Sequence, residues 1–126
     1  MDAQKTKAGE TPLRESLEKL ITKSSAPIII SSVNTGNIQF ANSTAVDMYG
    51  YPYKDFIGMD ISRLLHENVE SVNLQKAFLN KQGTYRTDPT IHKDNEGNTF
   101  AAEFLALPMK YRDEKSVLIE VSRVKK

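Results

Sequence analysis

The sequence predicts an α+β fold in which helices pack on an antiparallel sheet. Three observations predict it: an apolar stripe at helical spacing near the N-terminus, a middle third of short capped segments, and a two-residue period after Gly83. The chain has 126 residues, of which 39% are hydrophobic. This length suits one domain with a single core that needs neither disulfides nor a structural metal.

The N-terminal segment divides into a tail and a helix. Residues 1–10 show no apolar periodicity, so we expect a flexible tail there. Thr11 and Pro12 supply a cap and a proline at the first helical position. Apolar residues then recur at i, i+4, i+7 and i+8, namely Leu13, Leu17, Leu20 and Ile21. The spacing predicts an amphipathic helix over 11–23, packed either on its own domain or against a second copy.

A hairpin and a capped helix follow. The β-branched run 27–33 predicts a strand, residues 34–37 have turn chemistry, and residues 38–41 form the return strand. Asn42 can accept a hydrogen bond from a free amide, so we expect it to open a short helix that Gly50 ends.

Short helical segments fill the middle of the chain. One is expected at 53–57 before Gly58, and another at 62–66, with Asp60 or Ser62 as its cap. The apolar spacing of residues 69–81 predicts a longer helix.

The last third predicts three strands. The first, over 85–92, turns Tyr85, Thr87, Pro89 and Ile91 to one side, and its proline confines it to a sheet edge. A turn at 94–98 precedes strands at 99–111 and 116–124, joined by a turn at 112–115. Phe100, Ala102, Phe104 and Ala106 would line one face of the strand from Thr99, and Leu105, Leu107 and Met109 the other. Both faces therefore need cover, one from the central helices and one from the N-terminal helix or a partner.

Three segments carry a resemblance to a known family. They are residues 34–42, with a turn, a strand and a helix-opening asparagine; residues 49–58; and residues 91–103, with a lysine-aspartate-glycine turn leading into a strand. In this order and spacing they resemble PAS domains over residues 24–124. The resemblance implies a five-stranded antiparallel sheet of order 2-1-5-4-3, with the Pro89 strand at an edge.

Composition excludes several classes of function. A net charge of +1 is too small to hold a phosphate backbone, so we expect no nucleic-acid partner. The longest apolar run, 26–30, is far too short for a bilayer, and no signal peptide is evident, so we expect a cytoplasmic protein without direct membrane contact. The absence of cysteine excludes thiol nucleophiles, disulfides, zinc–thiolate sites and flavin–thiol adducts.

The residues favour neither a cofactor nor catalysis. By the PAS resemblance, Asn73 occupies the position of the histidine that would ligate haem, so haem is disfavoured. Flavin is disfavoured because the chain lacks tryptophan, which the resemblance implies is often found near the flavin ring. His66 and His92 are too far apart for a metal site, and we expect His92 to be solvated on its edge strand. No catalytic motif occurs, and the chain is predicted not to be an enzyme.

A mostly apolar pocket between helices and sheet is the candidate ligand site. It could hold a small apolar ligand, or its side chains could close-pack as an ordinary core. The candidate residues are Phe40, Met48, Tyr49, Leu64, Leu65, Val72, Tyr85, Phe104, Val117 and Ile119, with Tyr111 as a further hydrogen-bond donor.

The resemblance implies a cytoplasmic sensory module, of a sensor kinase or a cyclic-dinucleotide signalling protein, that acts as a homodimer on an effector domain outside this chain. The alternatives are a ligand-free dimerisation module and a flavin or haem redox or gas sensor. The candidate dimer residues are Leu13, Leu17, Leu20, Ile21, Leu105, Leu107 and Met109.

Overall fold

The computed structural model describes residues 2–66 and 83–124. The helix predicted at 69–81 and the pocket candidate Val72 lie outside the described residues. Within them, one antiparallel sheet carries short helices on one face and the end of a long N-terminal helix on the other. The α+β fold predicted from the sequence is confirmed.

The sheet contains six strands in the part of the chain that the structure describes. They are β1 (Ile28–Ser32), β2 (Ile38–Ala41), β3 (Tyr85–Arg86), β4 (Thr90–Lys93), β5 (Thr99–Tyr111) and β6 (Glu114–Arg123). Their order is β2-β1-β6-β5-β3, and β4 pairs with β5 on the same edge as β3. The expected order 2-1-5-4-3 therefore differs in one detail, because the predicted edge strand is broken into two. Pro89 lies in the break, where its missing N–H interrupts no ladder bond.

The hairpin of β5 and β6 is the longest paired element. Its register runs from Ala102 opposite Arg123 to Tyr111 opposite Glu114. Arg112 and Asp113 form the turn with φ of 51° and 63°. Two left-handed residues match the twist of the flanking strands, so two residues suffice, and the prediction of a four-residue turn at 112–115 is wrong.

The helices are α1 (Asp2–Lys23), α2 (Ser43–Tyr49), α3 (Tyr53–Phe56) and a 3₁₀ helix (Ile61–Leu64). Two predicted caps are confirmed, since the Asn42 side chain accepts from the Ala45 N–H at 3.0 Å and the Asp60 side chain from the Ser62 N–H at 2.9 Å. α1 begins at Asp2, not at the predicted cap Thr11. Alanine, lysine, glutamine and glutamate are common in residues 2–10, and their helix propensity extends the helix through the segment expected to be a tail.

Two apolar clusters lie on opposite faces of the sheet. The inner cluster, under the short helices, comprises Ile29, Ile38, Ala41, Ala45, Tyr49, Phe56, Ile61, Leu64, Ala102, Phe104, Ala106, Val117, Ile119 and Val121. The outer cluster, under α1, has Ile21, Ile30 and Tyr111 at its centre, with Leu17, Ile28, Phe40, Met109 and Leu118 packed against it. The face expected to need a helix or a partner is thus covered in part by α1 of the same chain.

Candidate functional site

The predicted pocket residues lie mostly in the inner cluster. Its fully buried members include Tyr49, Leu64, Phe104, Val117 and Ile119, and Met48 and Tyr85 pack against it. Leu65 is also buried and forms an isolated β-bridge with His92. The side chains from the helices and from the sheet therefore meet as expected. In the described residues they pack against one another as a core.

Phe40 is the exception, because it packs on the outer face of the sheet. Between β1 and β2, Ile30 pairs with Phe40 whereas Ser31 pairs with Ile38, so β2 has one extra residue, Gln39. Such a bulge reverses the alternation of side chains. Phe40 therefore joins the outer cluster, with its ring centroid 6.4 Å from that of Tyr111. The assignment of Phe40 to the pocket is corrected accordingly.

His92 is buried and only 1% exposed, so the expectation of a solvated residue is wrong. Tyr85 pairs with Ala106 and Thr90 with Ala102, which leaves one more residue on the edge strand than on β5. This extra residue reverses the alternation and turns His92 inward. Ile91, expected to face inward, points outward and is 40% exposed.

Inside the inner cluster, His92 makes a hydrogen bond to Tyr49 and packs among aromatic rings. The Tyr49 hydroxyl lies 2.8 Å from the His92 Nδ1. The His92 ring centroid lies 5.1 Å from that of Phe104, in an edge-to-face arrangement, and 5.7 Å from that of Phe100. A polar pair is thus enclosed between the C-terminal end of α2 and β4.

Burial keeps both partners of this pair neutral. It lowers the pKa of His92 to about 4 and raises the pKa of Tyr49 well above its usual value, although the nearby positive charge of Arg123 opposes the second shift. At pH 7 the bond joins a neutral imidazole to a neutral phenol. Such a pair can position a polar group or satisfy a core, but it supplies no charge.

In residues 2–66 and 83–124 no group of three or more histidine or acidic residues converges in a way that could hold a metal ion. A surface groove of about 570 Å³ lies beside α3. Its lining mixes Lys54, Asp55 and Arg63 with Tyr51, Ile57, Gly58 and Met59. This open, charged groove differs from the apolar pocket predicted between helices and sheet.

The structure divides the candidate dimer residues into two groups. Leu17, Ile21 and Met109 pack in the outer cluster of the same chain. Leu13 and Leu20 are 72% and 71% exposed, and Leu107 is 38% exposed. Leu105, the remaining candidate, is half-buried and belongs to neither apolar cluster. Leu13 and Leu20 are seven residues apart and so lie on one side of α1, forming an exposed stripe beside the surface that the helix buries.

Two side chains, Tyr111 and Asn42, make polar contacts with α1 that the sequence pattern did not predict. The Tyr111 hydroxyl donates to the Glu18 carboxylate, so this tyrosine lies under α1 and is not a donor in the pocket. The Asn42 amide nitrogen donates to the Ile21 carbonyl at 2.9 Å and to the Ala26 carbonyl at 2.7 Å. Asn42 was predicted only as a cap of α2, and no local pattern could reveal contacts with residues 16 to 21 positions earlier.

The comparison with protein families decides the family of the chain. A family model described as a PAS domain matches residues 25–123, which is most of the chain. The chain belongs to the PAS family. The resemblance seen in residues 34–42, 49–58 and 91–103 is thereby confirmed. No curated protein sequence matches this PAS domain significantly.

Solved structures share the PAS fold at low identity. The PAS domain of an HTR-like protein from Haloarcula marismortui has a TM-score of 0.71 at 18% identity, covering 98% of this chain and 100% of that one. The PAS domain of a two-component sensor histidine kinase has a TM-score of 0.69 at 12% identity, covering 92% and 99%. The PAS domain of nitrogen regulation protein NR(II) from Vibrio parahaemolyticus has a TM-score of 0.68 at 15% identity, covering 85% and 96%.

The PAS domain shows no membrane span in the residues that the structure describes, since none of their helices is long and apolar enough to cross a bilayer. The described residues offer three features that bear on function: the buried inner cluster, the Tyr49–His92 pair within it, and α1 with its exposed leucine stripe.

Proposed function

We propose that this PAS domain is a non-enzymatic, cytoplasmic signalling module of a sensor kinase or a cyclic-dinucleotide signalling protein, and that it acts as a homodimer. The observation that carries the proposal is the two-sided packing of α1. Leu17 and Ile21 bind the helix to its own sheet, whereas Leu13 and Leu20 remain exposed. An exposed pair of leucines on one side of a helix is a surface that a second copy can cover.

Energetics favour this use of the stripe. Burying one leucine side chain is worth about 1.5–3 kcal/mol, and a twofold interface would bury Leu13 and Leu20 from each protomer. Leu107 is also partly exposed on the sheet face that carries the outer cluster. A second α1 placed beside the first would extend the cover of this face.

The similar structures support a signalling role. Two of them are described as PAS domains of a sensor histidine kinase and of a nitrogen regulation protein. In our proposal the dimer has two packings of α1 against the sheet. A ligand or partner that binds one packing more tightly raises the fraction of dimers in that packing. The dimer then passes the change to an effector domain.

A ligand-free module for dimerisation and protein interaction is the second candidate, and the packing of the inner cluster favours it. Tyr49, Phe56 and Leu64 from the helical layer and Phe104 from β5 are all essentially inaccessible to solvent. These side chains belong to one cluster, and side chains that pack against one another leave less room for a ligand. In this case α1 would orient neighbouring domains without sensing a small molecule.

The oligomeric state tests the proposal. We expect the chain to have twice its sequence mass by light scattering at micromolar concentration, and Leu13→Asp/Leu20→Asp to be monomeric with an unchanged circular dichroism spectrum. Lys19→Asp is the matched control, since it changes the net charge by the same amount at an exposed position away from the stripe. A monomeric wild-type chain, or a double variant that remains dimeric, would contradict the proposal.

Native mass spectrometry of protein purified from cells separates the two candidate functions. Extra mass on the wild-type chain would identify a ligand class and favour the sensor. The bare mass of the chain, or twice that mass, together with no thermal shift across a metabolite library, would favour the ligand-free module.

A further inference from the structure

We infer that Asn42 is a coupling residue that makes the docking of α1 on the outer face depend on the position of α2 in the helical layer. The inference deepens the proposed function, because it names the path by which a change in the helical layer would reach the exposed leucine stripe. It rests on the hydrogen bonds of a single buried side chain.

The oxygen of the Asn42 amide accepts hydrogen bonds from both the helical layer and the sheet. It accepts from the Ala45 N–H of α2 at 3.0 Å and from the Ile28 N–H of β1 at 3.1 Å. The Asn42 N–H in turn donates to the Ile28 carbonyl at 3.1 Å. The start of α2 is therefore fixed to the start of β1.

The nitrogen of the same amide donates hydrogen bonds to the end of α1 and to the segment that links α1 to β1. It donates to the Ile21 carbonyl at 2.9 Å, to the Ala26 carbonyl at 2.7 Å and, at a longer 3.4 Å, to the Ser24 carbonyl. Carbonyls at the C-terminal end of a helix lack partners within the helix. The Ile21 carbonyl accepts from the Ser24 N–H at 3.2 Å, and Asn42 is its second and shorter donor. The side chain of Ile21 lies at the centre of the outer cluster.

Burial of Asn42 makes its hydrogen bonds difficult to replace. Asn42 is 2% exposed, so water cannot readily replace a hydrogen bond that it loses. An amide that moves with the N-terminus of α2 must lengthen its bonds to Ile21 and Ala26. α2 also carries Tyr49 into the inner cluster, so a ligand or partner that displaces α2 would weaken the anchor of α1.

The substitution Asn42→Asp separates the two halves of the amide. A carboxylate keeps the acceptor for Ala45 and Ile28, but it replaces the donor to Ile21 and Ala26 with an oxygen that repels their carbonyls. We expect hydrogen exchange at residues 14–23 to accelerate at least about tenfold, while residues 45–49 of α2 keep their protection. Asn42→Ser, which keeps a hydroxyl cap for α2 without the amide donor, should give the same selective change if the aspartate variant does not fold.

Three further measurements make the result decisive. Asp60→Asn alters the cap of the 3₁₀ helix and should leave exchange in α1 unchanged. Ala45→Gly weakens α2 and should accelerate exchange in α1 when Asn42 is present, but add nothing in the Asn42→Asp background. The same coupling should persist in monomeric Leu13→Asp/Leu20→Asp, which distinguishes failure of the coupling from failure of the dimer proposal.

Three outcomes would overturn the inference. If α1 stays protected in Asn42→Asp, the amide donor does not anchor the helix. If α1 and α2 lose protection equally, Asn42 only stabilises the fold. Additive effects of Ala45→Gly and Asn42→Asp on α1 would likewise show that the two elements are independent.

Discussion

Tyr49 and His92 satisfy each other inside the inner cluster. A buried phenol or imidazole without a partner costs about 1–3 kcal/mol, and the 2.8 Å bond between them removes that cost. A positive charge on His92 would have no such compensation, because the apolar rings of Phe100 and Phe104 pack against its imidazole. The folded domain therefore holds His92 in its neutral form.

Acidification below pH 6.5 should destabilise the domain through His92. The folded-state pKa is about 4, against about 6.5 in the unfolded chain, so between these values the unfolded state binds the extra proton. The stabilising effect of a neutral His92 is complete above pH 6.5, declines as the pH falls, and is lost below pH 4. Between pH 7 and pH 5 the unfolding free energy should fall by about 2 kcal/mol, measured by urea titration at pH 7, 6 and 5.

The double variant Tyr49→Phe/His92→Phe is the control for this pH dependence. It removes both polar partners together and so leaves no buried group unsatisfied. Its unfolding free energy should be flat between pH 7 and pH 5. Equal slopes for the variant and the wild type would show that other groups cause the acid sensitivity.

At the scale of the elements, the sequence predicted most strands and the caps of α2 and the 3₁₀ helix, but not the start of α1 or the two places where the alternation reverses. As helix caps, Asn42, Gly50 and Asp60 act on neighbours within a few residues, so local patterns suffice to find this role. The extra residues on β2 and on the edge strand are visible only in the pairing with neighbouring strands. Each reverses the side chains that follow, which explains the wrong placements of Phe40 and His92.

The β5–β6 turn offers a prediction at the same scale. Asp113 has φ of 63°, a left-handed conformation that costs a residue with a Cβ about 1–2 kcal/mol and costs glycine little. Asp113→Gly should therefore raise the unfolding free energy by about 0.5–1 kcal/mol, measured by chemical denaturation. Asp113→Val should lower it, because a β-branched residue is least tolerant of positive φ. A glycine variant that is less stable than the wild type would contradict this explanation of the tight turn.

In the whole molecule, α1 belongs to two surfaces at once. Glu18 binds Tyr111 and Ile21 enters the outer cluster, so one side of the helix is part of the domain. The side with Leu13 and Leu20 belongs to no cluster among the described residues. A net charge of +1 provides little repulsion between copies. The leucine spacing in the sequence predicted an amphipathic helix, but only the packing shows which leucines are buried and which are exposed.

This division predicts that thermal stability depends on protein concentration. If the dimer buries Leu13 and Leu20, association stabilises the folded state by mass action, and Tm should rise by about 2–4 °C for each tenfold increase in concentration. Differential scanning fluorimetry from 1 to 100 μM should show this rise for the wild type and for Lys19→Asp. Leu13→Asp/Leu20→Asp should instead have one Tm at all concentrations, close to that of the dilute wild type. A wild-type Tm independent of concentration would mean that the stripe stays exposed over this range, and that α1 serves only its own sheet.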